Sequence, residues 1–150
     1  MKLEDEINIL VPFASERQKV VVNLVYTYGV FLDDTLAILS QFDLNDQHFN
    51  ILKMLNEQYP QPLAVGEIKR LLFNKRGDLT RLLDKLTDRE LVVRDLDPHD
   101  RRVFLVTLSE KGREQLQKMD ALLSTQREAK NRLTEAEARQ LNDLLDKLRG

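Results

Sequence analysis

Apolar residues recur along this chain at three- and four-residue steps almost from end to end, and only two short stretches switch to alternation. That rhythm predicts amphipathic helices with a little strand. The longest rhythmic run, 15–42, carries Val21, Leu24, Val25, Tyr28, Phe31 or Leu32, Leu36 and Leu39. Ser15 is placed to cap it, with Gln18 in capping-box position. A helix of about 27 residues would span about 40 Å, more than the core of a small domain needs. Val20, Val22, Tyr26 and Val30 make its other faces apolar too. A helix apolar on more than one side is buried on more than one side, and a partner chain is the simplest cover. Its aromatic residues, Tyr26, Tyr28, Phe31 and the following Phe42, read as helix core.

Asn45 is a fitting N-cap for a second helix over 46–58, which turns Phe49, Leu52 and Leu55 inward, with Ile51 and Tyr59 on its flank. Pro60 and Pro62 end it. A short helix is expected over 65–73 with Val65, Ile68, Leu71 and Leu72 inward. The most regular segment runs from Arg76 to Thr87, where Leu79, Leu82, Leu83 and Leu86 form one narrow stripe. Its opposite side carries Gly77, Asp78, Thr80, Arg81, Asp84 and Lys85, none of which needs burial. Two strands follow, Leu91–Arg94 and Val103–Leu108, joined by Asp97-Pro98-His99-Asp100-Arg101-Arg102. Pro at a turn position after Asp predicts a hairpin with a projecting charged tip. Ser109 caps the next helix, striped by Leu116, Met119, Leu122 and Leu123. Thr134 and Glu137 form a capping box for a last one, striped by Leu141, Leu144, Leu145 and Leu148.

Composition narrows the chemistry. The chain has 150 residues, no Cys and 2 His. That excludes a disulfide framework, a Cys-ligated metal and a thiol catalyst, and His48 and His99 do not have ligand spacing. No glycine-rich phosphate loop or nucleophile elbow is present. The adjacent carboxylates Asp33 and Asp34 would diverge by about 100° on a helix. Neither an enzyme nor a cofactor or metal site is expected. The start Met1–Glu6 is acidic where a signal peptide would be basic, and no apolar run approaches the roughly 18 residues of a membrane span. The expected address is cytoplasmic, without a membrane partner. The net charge of −2 hides an asymmetry: residues 1–63 carry −5, residues 64–118 carry +3 and residues 119–150 are neutral. A local cationic face suffices to attract nucleic acid.

Three helices followed by a hairpin is the order of a winged helix-turn-helix. In that motif a recognition helix anchors one face in the core and offers the other to the major groove, while a wing presents cations. The runs Asp78-Leu79-Thr80-Arg81-Leu82-Leu83-Asp84-Lys85-Leu86, Leu91-Val92-Val93-Arg94, Asp97-Pro98-His99-Asp100-Arg101-Arg102-Val103 and Thr107-Leu108-Ser109-Glu110-Lys111-Gly112 resemble the MarR family of bacterial transcriptional regulators. The wing pattern Asp-x-Arg-x-x-x-Val falls on Asp100, Arg102 and Val106.

The resemblance implies a mainly α fold with a small β-hairpin wing. Residues 1–42 would form an N-terminal dimerisation helix region, 43–110 a winged helix-turn-helix DNA-binding lobe, and 111–150 the C-terminal dimerisation helices. It further implies a sequence-specific DNA-binding regulator, expected to be a homodimeric repressor on a pseudo-palindromic duplex. Small aromatic effectors are common in the family, but no residue here assigns one. Arg76 and Gly77 suit close approach to phosphate, with Lys75 and Lys85 as weaker phosphate candidates. Asp78 is either a positioning residue or an acceptor for a cytosine amino group. Thr80 and Arg81 face the groove. Arg101 meets phosphate, and Arg102 enters the minor groove with its guanidinium held by the Asp100 carboxylate. Periodicity alone allows Thr80 and Arg81 to be a merely solvated face, and the acidic balance keeps open a winged-helix protein-interaction module. Two positions depart from the family pattern. Glu90 replaces a glycine at the exit of the recognition helix, implying a left-handed Glu at a cost of about 1 kcal/mol, or a different exit. Ala64 stands where Ser or Thr often caps a helix.

Overall fold

The computed structural model describes residues 2–8, 11–72 and 78–150. The order of elements is α1 (Leu3–Glu6), α2 (Glu16–Ser40), α3 (Asp46–Gln58), β1 (Leu63–Ala64), α4 (Val65–Leu71), α5 (Leu79–Asp88), β2 (Val92–Leu96), β3 (Phe104–Leu108), α6 (Glu110–Lys130) and α7 (Glu135–Arg149). The fold is the expected mainly helical one with a small hairpin.

Most helix starts follow their caps. Ser15 Oγ accepts the Gln18 N–H at 3.2 Å. The Gln18 side chain, however, reaches the Ala14 N–H at 2.8 Å rather than that of Ser15, so the capping box is incomplete. Asn45 and His48 close a reciprocal box: the Asn45 side chain accepts the His48 N–H at 3.0 Å, and His48 Nδ1 accepts the Asn45 N–H at 3.2 Å. The box of Thr134 and Glu137 forms as expected. Ala64 has no side chain to cap α4, and Glu67 offsets this in part by accepting the Ala64 N–H at 3.1 Å. The helix ends at Leu71, which is exposed, while Leu72 turns into the core. The expectation that both point inward therefore fails: at 3.6 residues per turn Leu72 falls on the Ile68–Val65 side of the helix and Leu71 on the opposite flank.

One apolar core joins Ile51, Leu52 and Leu55 of α3, Ile68 of α4, Leu83 and Leu86 of α5, Val106 of β3, and Met119 and Leu123 of α6. Each fully buried side chain of this size contributes roughly 1.5–3 kcal/mol of transfer free energy. The sheet is antiparallel in the order β1-β3-β2, with Leu63 opposite Val106 and Val92 opposite Leu108. β1 has two residues, too few for alternation to announce a strand. Gly112 sits where α6 meets this sheet. A Cβ there would lie 2.1 Å from the Leu91 carbonyl oxygen and 2.8 Å from Leu108 Cδ1. That carbonyl accepts the Ser109 N–H at 3.1 Å, so it cannot swing away freely. Close approach of backbone to backbone requires glycine at this point.

The terminal helices are built differently. α2 buries only Leu39 among its 25 residues, and α7 buries none of its residues. Val21, Leu24, Val25, Tyr28 and Phe31 of α2, Leu122 of α6 and Leu141, Leu144 and Leu148 of α7 are all exposed. Tyr28 and Phe31 are thus not core in a single chain, whereas Tyr26 is half-buried and hydrogen-bonds Glu6 at 3.1 Å. Contrary to the expectation that no apolar run approaches a membrane span, α2 is long and apolar enough, by length and composition alone, to cross a bilayer. Asp33 and Asp34 lie within this helix, and Asp34 pairs with Lys130 at the end of α6.

Candidate nucleic-acid interface

The best-formed exposed helix face belongs to α5. Leu82, Leu83 and Leu86 are buried, and Thr80, Arg81, Asp84 and Asp88 on the other side are exposed. The helix begins at Leu79 because Asp78 caps it: one carboxylate oxygen accepts the N–H groups of Thr80 at 3.1 Å and Arg81 at 3.4 Å. That is the geometry of a positioning residue. Through that oxygen it caps its own helix and fixes the backbone beneath Thr80 and Arg81. Lys75, Arg76 and Gly77 lie outside the described residues.

The other end of α5 closes as a Schellman motif. The Leu91 N–H donates to the Leu86 carbonyl at 2.9 Å and the Glu90 N–H to the Thr87 carbonyl at 2.8 Å. Glu90 is left-handed, with φ of 60°, as the departure from the family glycine implied. Its carboxylate accepts from Lys111 at 2.9 Å, which holds the Glu90 carboxyl below the usual range.

The wing is β2, β3 and the turn between them. The Asp97 N–H donates to the Val103 carbonyl and the Val103 N–H to the Asp100 carbonyl, both at 2.9 Å. Two aspartates brace the tip from within: Asp97 accepts the His99 N–H at 2.8 Å and Asp100 the Arg102 N–H at 3.0 Å. The expected Asp100–guanidinium contact is therefore replaced by one to the main chain. A carboxylate two residues before an N–H closes a local turn more readily than it reaches a long side chain. Arg101 and Arg102 are exposed, and neither they nor Arg81 pair with a carboxylate among the described residues.

Several residues that the sequence did not single out join these parts. Arg94 of β2 donates to Asp84 of α5 at 2.6 Å, and its guanidinium stacks 5.3 Å from the centre of the Phe104 ring. One side chain thus ties the helix to both strands of the wing. The signal available was an acidic residue on the free face of α5 and a basic one on the strand that follows, but nothing in one dimension pairs them. Lys85 and Arg89 both reach Asp43, just past the end of α2, at 3.0 Å each. Lys85 is therefore engaged within the chain rather than held free for phosphate. These cations hold the Asp43 carboxyl below its usual range, the Lys85 hydrogen bond being the largest cause. Beside them, burial first and then the Lys85 charge push the His48 imidazole below its ordinary value, and its Nδ1 accepts the Asn45 N–H.

Comparison with known proteins gives the same answer from several directions. Residues 42–103 match the model of the MarR family. The chain is 33% identical over 94 residues to the HTH-type transcriptional regulator MhqR of Bacillus subtilis (strain 168), a stretch covering 63% of each protein. It thus spans somewhat less than two thirds of that relative. The crystal structure of a MarR transcription factor from Planctomyces limnophilus is 32% identical with a TM-score of 0.69, covering 92% of this chain and 98% of that one. A mutant MarR from E. coli complexed with operator DNA is 26% identical with a TM-score of 0.70, covering 99% of both chains.

Proposed function

This chain belongs to the MarR family, and we propose that it is a homodimeric, sequence-specific DNA-binding regulator that represses transcription. The observation that carries this is the pairing of an exposed helix face bearing Thr80 and Arg81 with a braced, cationic wing tip bearing Arg101 and Arg102. A clasp, Arg94 on Asp84, joins the two. The likeness to a relative in complex with operator DNA supports it.

Thr80 and Arg81 meet base edges in the major groove. Arg102 enters the minor groove and Arg101 meets phosphate, with Arg76 and Gly77 approaching phosphate ahead of the helix. Asp78 and Asp100 hold backbone rather than DNA, and Lys85 acts through its carboxylate partner. Residues 1–42 and 111–150 carry the dimer and residues 43–110 the DNA lobe. The uncovered apolar residues of α2 and α7 favour that division, a second copy being the cover. Two such lobes fit half-sites about one helical turn apart. A small aromatic effector that changed their spacing would take the two helices out of register with the grooves. The protein works in the cytoplasm, where its duplex is.

The test is binding of the purified protein to duplexes that it selects from genomic fragments, against random duplexes of equal length. Affinity for the selected duplex should fall by roughly a thousandfold between about 50 and 200 mM salt. Arg102→Ala should weaken binding roughly tenfold or more while leaving the dimer and thermal stability unchanged. A shallow salt slope, equal for selected and random duplexes, would instead make this a winged-helix module that meets proteins.

A further inference from the structure

The fold joins the long helix to the recognition helix through one carboxylate. Asp43 is left-handed, with φ of 53°, in the turn that ends α2. Its own N–H donates to the Ser40 carbonyl at 2.9 Å, and the next N–H, of Leu44, donates to the Leu39 carbonyl at 3.1 Å. Leu39 and Leu44 are both buried. The backbone of Asp43 is therefore fixed on both sides, at a position where glycine would fit with less strain. The side chain that glycine would lack reaches across to α5. One oxygen accepts from Lys85 and the other from Arg89.

Lys85 and Arg89 are four residues apart on one strip at the end of α5, so without a carboxylate between them they repel each other. The pairing bypasses α3 and spans more than forty residues of sequence. The Asp43 side chain is 74% exposed, so this link adds little to stability. What it can do is orient. A helix that reads base edges must hold its angle, whereas one that only meets phosphate need not. Releasing two cations beside the reading face would also raise attraction to any duplex.

We propose that Asp43 is a positioning residue for sequence discrimination: it locks α5 to the end of α2 through Lys85 and Arg89 and keeps both cations from indiscriminate phosphate contact. This rests on the DNA-binding reading above. The experiment uses the full chain, the duplex selected by the unaltered protein and a scrambled duplex of the same length, at one salt concentration. Asp43→Asn removes the charge and keeps a residue that tolerates the left-handed backbone. Its affinity for the selected duplex should fall while that for the scrambled duplex holds or rises, so the ratio of the two drops about tenfold. In a Lys85→Met, Arg89→Met background the same substitution should leave the ratio unchanged, because its partners are gone.

Equal shifts on both duplexes would overturn the proposal and leave Asp43 as a simple charge. So would the same drop in ratio with or without the two cations. If Asp43→Asn fails to fold, Asp43→Gly, which relieves the backbone, takes its place, and failure of both to fold makes the residue structural and also ends the proposal. An unaltered protein that discriminates no duplex would instead sink the DNA-binding reading itself, a separable result.

Discussion

The central lobe and the terminal helices spend their leucines in opposite ways. Leu83 of α5 and Leu55 of α3 are almost wholly inaccessible, whereas Leu144 of α7 is 56% exposed and Leu24 of α2 is 42% exposed. Both kinds of helix show apolar residues at three- and four-residue spacing, so the periodic pattern alone does not separate them. The difference lies in what supplies the other wall. In the lobe α3 and β2 pack against α5 from within the same chain. Along most of α2 and α7 no part of the described chain does so. The lobe closes its core with Leu39 of α2 and the buried face of α6, whereas most of α2 and all of α7 are left uncovered.

The contrast is broken most directly by truncating one leucine in each region. Leu83→Ala should cost about 2–5 kcal/mol of unfolding free energy, read by denaturant titration and independent of protein concentration. Leu144→Ala should leave the lobe intact but shift the monomer–dimer equilibrium, read by sedimentation as a function of concentration. Equal, concentration-independent losses at both positions would erase the distinction. A smaller effect is expected at the seam between lobe and arm. Gly112→Ala forces a methyl onto the Leu91 carbonyl and should cost about 1–3 kcal/mol, seen as a lower melting temperature.

The smallest effect is a pH dependence confined to the lobe. His48 is buried and its Nδ1 accepts the Asn45 N–H, and its folded pKa lies below the ordinary 6.5. The unfolded chain therefore binds the proton more readily between the two values. The stability this group contributes is present above pH 6.5 and lost as the pH falls through the folded value. His48→Gln should flatten the fall in denaturation midpoint over that range, and a variant that tracks the unaltered protein would show that another group is responsible.

Residues acting on near neighbours were legible in the sequence. The caps at Ser15, Asn45 and Thr134, the leucine stripe of α5 and the left-handed Glu90 depend on residues within about two turns of each other, and each forms. The candidate site was legible in its parts, Thr80 and Arg81 on one face and Arg101 and Arg102 at one tip. Its assembly was not. Arg94 with Asp84, and Asp43 with Lys85 and Arg89, are pairs of ordinary charged residues whose partnership exists only after the chain folds back. Asp100 shows the converse error: its charge suggested a side-chain partner, and a nearer main-chain N–H took it.

The two-residue strand β1 changes how the wing can behave. β3 has a neighbour on each side, β2 in the hairpin and β1 from the segment that leads into α4. A finger welded at its knuckle to the palm cannot wag by itself. The bond is at the root, on Leu105 and Val106, so the stiffening begins there and the tip extends beyond it.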